Sequence, residues 1–170
     1  KRQNKITEYR KMLLAWKKAG AITTAGYILG FPFDTPESIR EDIEIIKKEL
    51  PLDILEFFCL TPLPGSEDHK VLSEKGVWMD PDMNKYDVEH VVTAHPKMTE
   101  AEWKEAYRTA WGHYYTDDHL ETIVRRAYAS GTLRVSYDGK SVEYGSAVDL
   151  LARIRTIEAE MAATAGRPKP

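Results

Sequence analysis

The chain has a single cysteine, Cys59, in 170 residues, so it holds no internal disulfide framework, and a reducing setting is expected. It has no apolar run near the roughly 18 residues that a membrane helix requires, and no segment reads as a signal peptide. No membrane partner is expected, and cytoplasmic is the expected location. Charge of one sign is also scarce. A balance of 24 Lys and Arg against 27 Asp and Glu leaves a net charge of -3, too little to attract nucleic acid or anionic lipid by itself. What is present is a globular balance, 42% hydrophobic and 30% charged, long enough for one ordinary domain or two small ones.

Hydrophobic spacing and punctuation divide the first half. Ile6, Tyr9, Met12, Leu13 and Trp16 recur at helical spacing before Gly20, which predicts a helix over residues 4 to 19. Residues 22 to 29 read as a strand ending at Gly30-Phe31-Pro32. Thr35, Pro36 and Glu37 then suit the cap and first turn of a helix whose stripe is Ile39, Ile43, Ile46 and Leu50. Pro51 stops it. Residues 54 to 60 are nearly continuously apolar, as a strand covered on both faces would be. A β-α-β unit of this kind crosses over right-handed and sets its two strands parallel. Two strands make a poor sheet, so a piece of a larger α/β barrel or doubly wound sheet is expected.

The second half reads as helical. Residues 67 to 75 form a short helix before Gly76, and residues 77 to 98 are irregular and expected to act as a covering segment. Thr99-Glu100-Ala101-Glu102 is a capping-box pattern, opening a helix with Trp103, Tyr107, Ala110, Trp111 and Tyr114 inward. Another helix starts at Asp117 and Asp118, with Leu120, Ile123, Val124 and Ala127 inward, and ends at Gly131. Asp138-Gly139 is a strong two-residue hairpin signal between residues 133 to 137 and 140 to 144. A last helix over 146 to 163 and a basic tail, Arg167-Pro168-Lys169-Pro170, complete the chain.

The turns Gly26-Tyr27-Ile28-Leu29-Gly30-Phe31-Pro32 and Leu60-Thr61-Pro62-Leu63-Pro64-Gly65-Ser66 should sit at the carboxyl ends of parallel strands, where α/β folds bind ligands. Glycine lets a backbone approach a ligand closely, and equally lets a chain turn. Taken together, the two turns resemble the fifth and sixth strands of radical S-adenosylmethionine enzymes, in the subgroup that often carries a cobalamin-binding domain. The resemblance covers residues 5 to 128. It includes Glu56-Phe57-Phe58, Gly65-Ser66-Glu67-Asp68-His69, Asp80-Pro81-Asp82, Asn84-Lys85-Tyr86-Asp87 and the Trp/Tyr-rich helix.

The resemblance implies a partial TIM-like barrel, α-β-α-β, over residues 1 to 76 and a helical cap over 77 to 128. It also implies that Gly26, Ile28, Gly30, Pro32, Leu60, Thr61 and Pro62 hold the adenosyl end of S-adenosylmethionine. The family's reaction needs a CxxxCxxC motif for its [4Fe-4S] cluster, and cobalamin is open to the parent enzyme as a second cofactor. This chain has no such motif, and Cys59 alone cannot assemble a cluster. The expectation is therefore a carboxyl-terminal piece, inactive alone, whose partner is an amino-terminal barrel half or domain bearing the cluster. Its catalytic residues and small-molecule substrate remain unassigned. A domain that lost catalysis and kept its shape is equally consistent.

His69, His90, His95, His113 and His119 lack the spacing of a metal motif, and no metal ligand is assigned. His90 and His95 lie in the irregular segment and are expected to face the mouth of a pocket as substrate contacts. The aromatic stripe of residues 103 to 114 has the spacing of a buried helix face, and the basic residues between its members do not make a nucleic-acid groove, so core packing is favoured over base stacking, and no nucleic-acid partner is expected.

From residue 120 onward, the order helix, hairpin, helix and basic tail is similar to the small phage head-to-tail joining proteins of the gpW-like type. The similarity rests on Ala129-Ser130-Gly131, on residues 135 to 144 and on Asp149-Leu150-Leu151-Ala152-Arg153-Ile154. It implies a structural protein that docks in a ring, with a homo-oligomer formed through this module, and Tyr137, Asp138, Gly139, Lys140, Arg167 and Lys169 as contact residues. A fusion of two coding pieces and an ordinary extension of the enzyme both account for residues 129 to 170.

Overall fold

The computed structural model describes residues 6–130, 134–137, 140–143, 146, 148–149, 151–156 and 159. The described fold is mixed α/β, in the order α1 (Ile6–Lys18), β1 (Thr24–Leu29), α2 (Pro36–Glu49), β2 (Ile54–Cys59), α3 (Glu67–Glu74), α4 (Glu100–Tyr114), α5 (Asp117–Ser130), β3 (Arg134–Tyr137) and β4 (Lys140–Glu143). No helix among these residues is long and apolar enough to cross a membrane.

Local chemistry explains most boundaries. α1 ends where Gly20, at φ +83°, donates to the Lys17 carbonyl and Ala21 to that of Trp16, a Schellman closure that needs left-handed backbone. At α2, Thr35 Oγ1 accepts from the Ser38 N–H at 3.2 Å, while the Thr35 N–H donates to Ser38 Oγ at 2.9 Å. Thr99 and Glu102 exchange the same pair of bonds at the start of α4. Each exchange satisfies two backbone donors that a helix start leaves orphaned.

By contact the chain divides into two units, one of residues 1–24, 47–54 and 115–170, the other of residues 25–46 and 55–114. In the first, Asp53 Oδ2 accepts from the Thr23 N–H at 2.8 Å and from Thr23 Oγ1 at 2.9 Å, and its other oxygen pairs with Lys17. Arg10 donates to the Glu49 carbonyl. Among the described side chains of the expected α1 stripe, Leu13 alone is buried, while Met12 and Trp16 are 48% and 58% exposed. Among the described side chains of α5, His119 is buried, and Leu120, Ile123 and Val124 are half-buried. β3 and β4 pair antiparallel, Arg134 opposite Glu143 and Tyr137 opposite Lys140.

β1 and β2, whose first residues Thr24 and Ile54 fall in the first unit and the rest in the second, form a two-stranded sheet. The Thr23 carbonyl accepts from the Asp53 and Ile54 N–H groups at 3.1 Å, and the Leu29 carbonyl from Leu60 at 2.8 Å. The same six-residue advance on both chains makes the strands parallel. Because Thr23 and Leu29 turn toward β2, the alternate residues Thr24, Gly26 and Ile28 turn their backbone groups away from it. One sheet face is buried, with Leu29, Leu55, Phe57 and Cys59 all at or below 1% exposure. The other face carries Ile28, 44% exposed, and half-buried Glu56 and Phe58. β2 is therefore fully buried on one face and half-buried to exposed on the other, where a continuous apolar run predicts two buried faces.

Phe57 centres the core of this unit. Its ring meets Tyr27, Trp111 and Tyr114 edge-on, at centroid distances of 6.2, 5.2 and 6.2 Å, a preferred aromatic geometry. Along α4 the buried residues are Trp103, Ala106, Ala110 and Tyr114. Trp111 is instead partly exposed. The irregular segment doubles back on itself. Met79 bridges Thr93, flanked by the Asp80 N–H to Val92 carbonyl bond at 2.9 Å and the Ala94 to Trp78 bond at 3.2 Å.

Candidate ligand-binding groove

A cavity of about 670 Å³ opens at the carboxyl ends of β1 and β2, within the usual range of small-molecule sites. Both βα loops line it, the first through Gly30, Phe31 and Pro32, the second through Leu60, Thr61 and Pro62.

The first loop is closed by Asp34, whose Oδ2 accepts the Gly30 and Phe31 N–H groups, both at 2.8 Å. From the irregular segment, His95 Nε2 donates to the Phe31 carbonyl at 2.8 Å, and Lys97 Nζ donates to that of Phe33 at 3.0 Å. His95 Nδ1 accepts the Lys97 and Met98 N–H groups at 3.1 and 3.0 Å. Both ring nitrogens are therefore committed to backbone, and the ring fixes the loop while its side lines the groove. The second loop is held by Thr61 Oγ1, which donates to the Cys59 carbonyl at 3.0 Å, and by Ser66, which caps α3 through the His69 N–H at 3.2 Å.

Trp103 lines the groove and packs beneath Gly30. A Cβ on Gly30 would lie 2.1 Å from its Cζ2, and one on Gly26 would lie 2.8 Å from the Phe58 ring. The space beside both glycines is thus filled by protein. The Trp103 indole N–H has no acceptor among the described residues.

Five of the seven residues expected at the cofactor, Gly30, Pro32, Leu60, Thr61 and Pro62, come together here. Gly26 and Ile28 lie instead on the less covered sheet face. Of the two histidines expected at the mouth, His95 lines the groove. His90 is exposed outside the lining and binds Asp87 through Nδ1 at 2.8 Å. That hydrogen bond, with a further one from the Glu89 N–H, holds the Asp87 carboxyl below its usual range. Tyr137 and Lys140 pair with each other at one end of the β3–β4 ladder, whereas Asp138, Gly139, Arg167 and Lys169 fall outside the described residues.

The Cys59 thiol is pushed up to about 12, by burial first and then by the Asp87 and Glu89 carboxylates. At neutral pH it is protonated and a poor nucleophile. The residues present do not fit an iron-sulfur cluster, which needs several thiolates. Among the described residues, no three His, Cys, Asp or Glu side chains gather into a metal-holding group.

Missing from the sequence reading of this site is the α3 wall, with Asp68, Val71, Leu72 and Lys75. Their i, i+3, i+4, i+7 spacing is the signal that could have found them. Compared with known protein families and with curated protein sequences, the chain matches none.

Proposed function

We propose that residues 5 to 128 are the carboxyl-terminal part of a radical S-adenosylmethionine enzyme, and that the groove seats the adenosyl end of that cofactor. The observation that carries the reading is convergence: five residues from two loops far apart in sequence line one cavity, at the shared end of two parallel strands. The partly exposed sheet face and the flank of β1, which no strand among the described residues pairs, support further strands of a TIM-like barrel beside it. On this reading the cluster cysteines, and cobalamin where the parent uses it, belong to a separate amino-terminal region. The chain alone binds the nucleoside and performs no redox step. Its own residues supply shape and position, with Asp34 and His95 holding the first loop and Thr61 the second.

Titrating S-adenosylmethionine into the chain, followed by backbone amide NMR, tests this. Saturable shifts at Gly30, Phe31, Leu60 and Thr61, with none at residues 134–137, are expected at millimolar ligand. Shifts absent from both loops at saturating concentration would sink the reading.

A second reading, a connector-like interaction module at the carboxyl end, draws on the β3–β4 hairpin that follows α5. It predicts a ring-sized homo-oligomer by native mass spectrometry, lost on deleting residues 129 to 170. A monomer at all protein concentrations refutes it.

A further inference from the structure

The α3 wall of the groove carries a charge pattern that a nucleoside does not use. Asp68, Val71 and Leu72 of α3 and Lys75, its C-cap residue, form one stripe, two apolar residues between a carboxylate and an ammonium. Seven residues at 1.5 Å each set the two Cα atoms about 10 Å apart along the axis, a span that both side chains can bracket. Both side chains are exposed, and among the described residues neither makes an ion pair or a side-chain hydrogen bond. The lining between them is poor in free polar groups. Leu60, Pro62 and Val77 are apolar, and the Thr61 and Thr93 hydroxyls already donate to the Cys59 and Trp78 carbonyls at 3.0 and 3.1 Å.

We propose that the groove binds a zwitterionic small molecule with an extended aliphatic body, its ammonium at Asp68 and its carboxylate at Lys75. An α-amino acid carries both charges on one carbon and cannot reach both residues at once. A peptide of matching length would bury amides for which this lining offers few partners, a costly arrangement. An ω-amino acid spanning about 10 Å meets both charges and lays methylene groups on Val71 and Leu72. The inference rests on the cavity being a ligand site, as the nucleoside reading also does, but it uses a different wall. S-adenosylmethionine binding is measured in a separate titration, so either assignment can fail alone.

The test uses the full chain and 8-aminooctanoate, with octanoate, octylamine and 1-octanol as partners lacking one or both charges. Binding is followed by saturation-transfer NMR. The zwitterion is expected to bind about tenfold more tightly than 1-octanol, from two part-exposed charge-assisted contacts. Lys75→Gln is expected to bring it level with octylamine, and Asp68→Asn level with octanoate. Because both positions are exposed, the variants should keep the parent's Tm, which is checked alongside. Charge exchange, Asp68→Lys with Lys75→Glu, should restore affinity with the ligand reversed. Equal binding of 1-octanol and 8-aminooctanoate, undiminished zwitterion affinity in both single variants, or no binding of any of the four compounds overturns the proposal.

Discussion

Replacing Gly30 with alanine is expected to remove about 3–5 kcal/mol of stability, because two independent penalties fall on one atom. The residue sits at φ +100°, where a side chain is strained whatever the surrounding space. The new Cβ would also stand 2.1 and 2.4 Å from Trp103 Cζ2 and Cε2. That indole is 1% exposed, and its ring lies edge-on to His95 at 5.2 Å. It has little room to retreat. Gly65 separates the two terms. At φ +89° with nothing within 4 Å of its Cβ direction, Gly65→Ala should cost only the backbone part, about 1–2 kcal/mol. Equilibrium urea unfolding measures both. A Gly30→Ala loss no larger than that of Gly65→Ala would mean that the Trp103 ring yields freely.

Phe57→Ala should cost about 3–5 kcal/mol, the range for emptying a large aromatic site in a close-packed core. Phe57 is 1% exposed and shares edge contacts with three rings, so the void would be lined by side chains of β1 and α4. Loss of the Trp111 contact at 5.2 Å should also alter the intrinsic fluorescence. Phe33, 83% exposed in the first loop, is the comparison. Phe33→Ala should stay within about 0.5 kcal/mol. Similar losses at the two positions would contradict the burial pattern.

Elements were legible where local bonds set them. Thr35, Pro36, Ser66, Thr99, Gly20 and Gly76 mark ends through hydrogen bonds and backbone angles that depend on near neighbours alone. What lies across from a helix is not local. The spacing of Tyr9, Met12 and Trp16 correctly describes one apolar face of α1, but the structure leaves that face largely uncovered. In α4, residue size misled. Trp111 was expected inward, yet small Ala106 is the more buried, beside a cleft of about 490 Å³ lined by Ile39 and Ile43 of α2. The two loops were readable from glycine and proline. The α3 wall was not, because Asp68 and Lys75 two turns apart look like any solvated face until the cavity beside them is seen. His95 was placed beside the groove for its chemistry, but both of its nitrogens serve the backbone.

The unpaired flank of β1 bears on how the molecule behaves when concentrated. Three successive outward positions, Thr24, Gly26 and Ile28, offer main-chain donors and acceptors on a sheet that has two strands among the described residues, the arrangement that recruits foreign strands into aggregates. Glycine at the middle of the three lowers the tendency of that stretch to zip onto a stranger. Gly26→Val is therefore expected to strengthen the adhesive stretch, with its new side chain meeting the Phe58 ring.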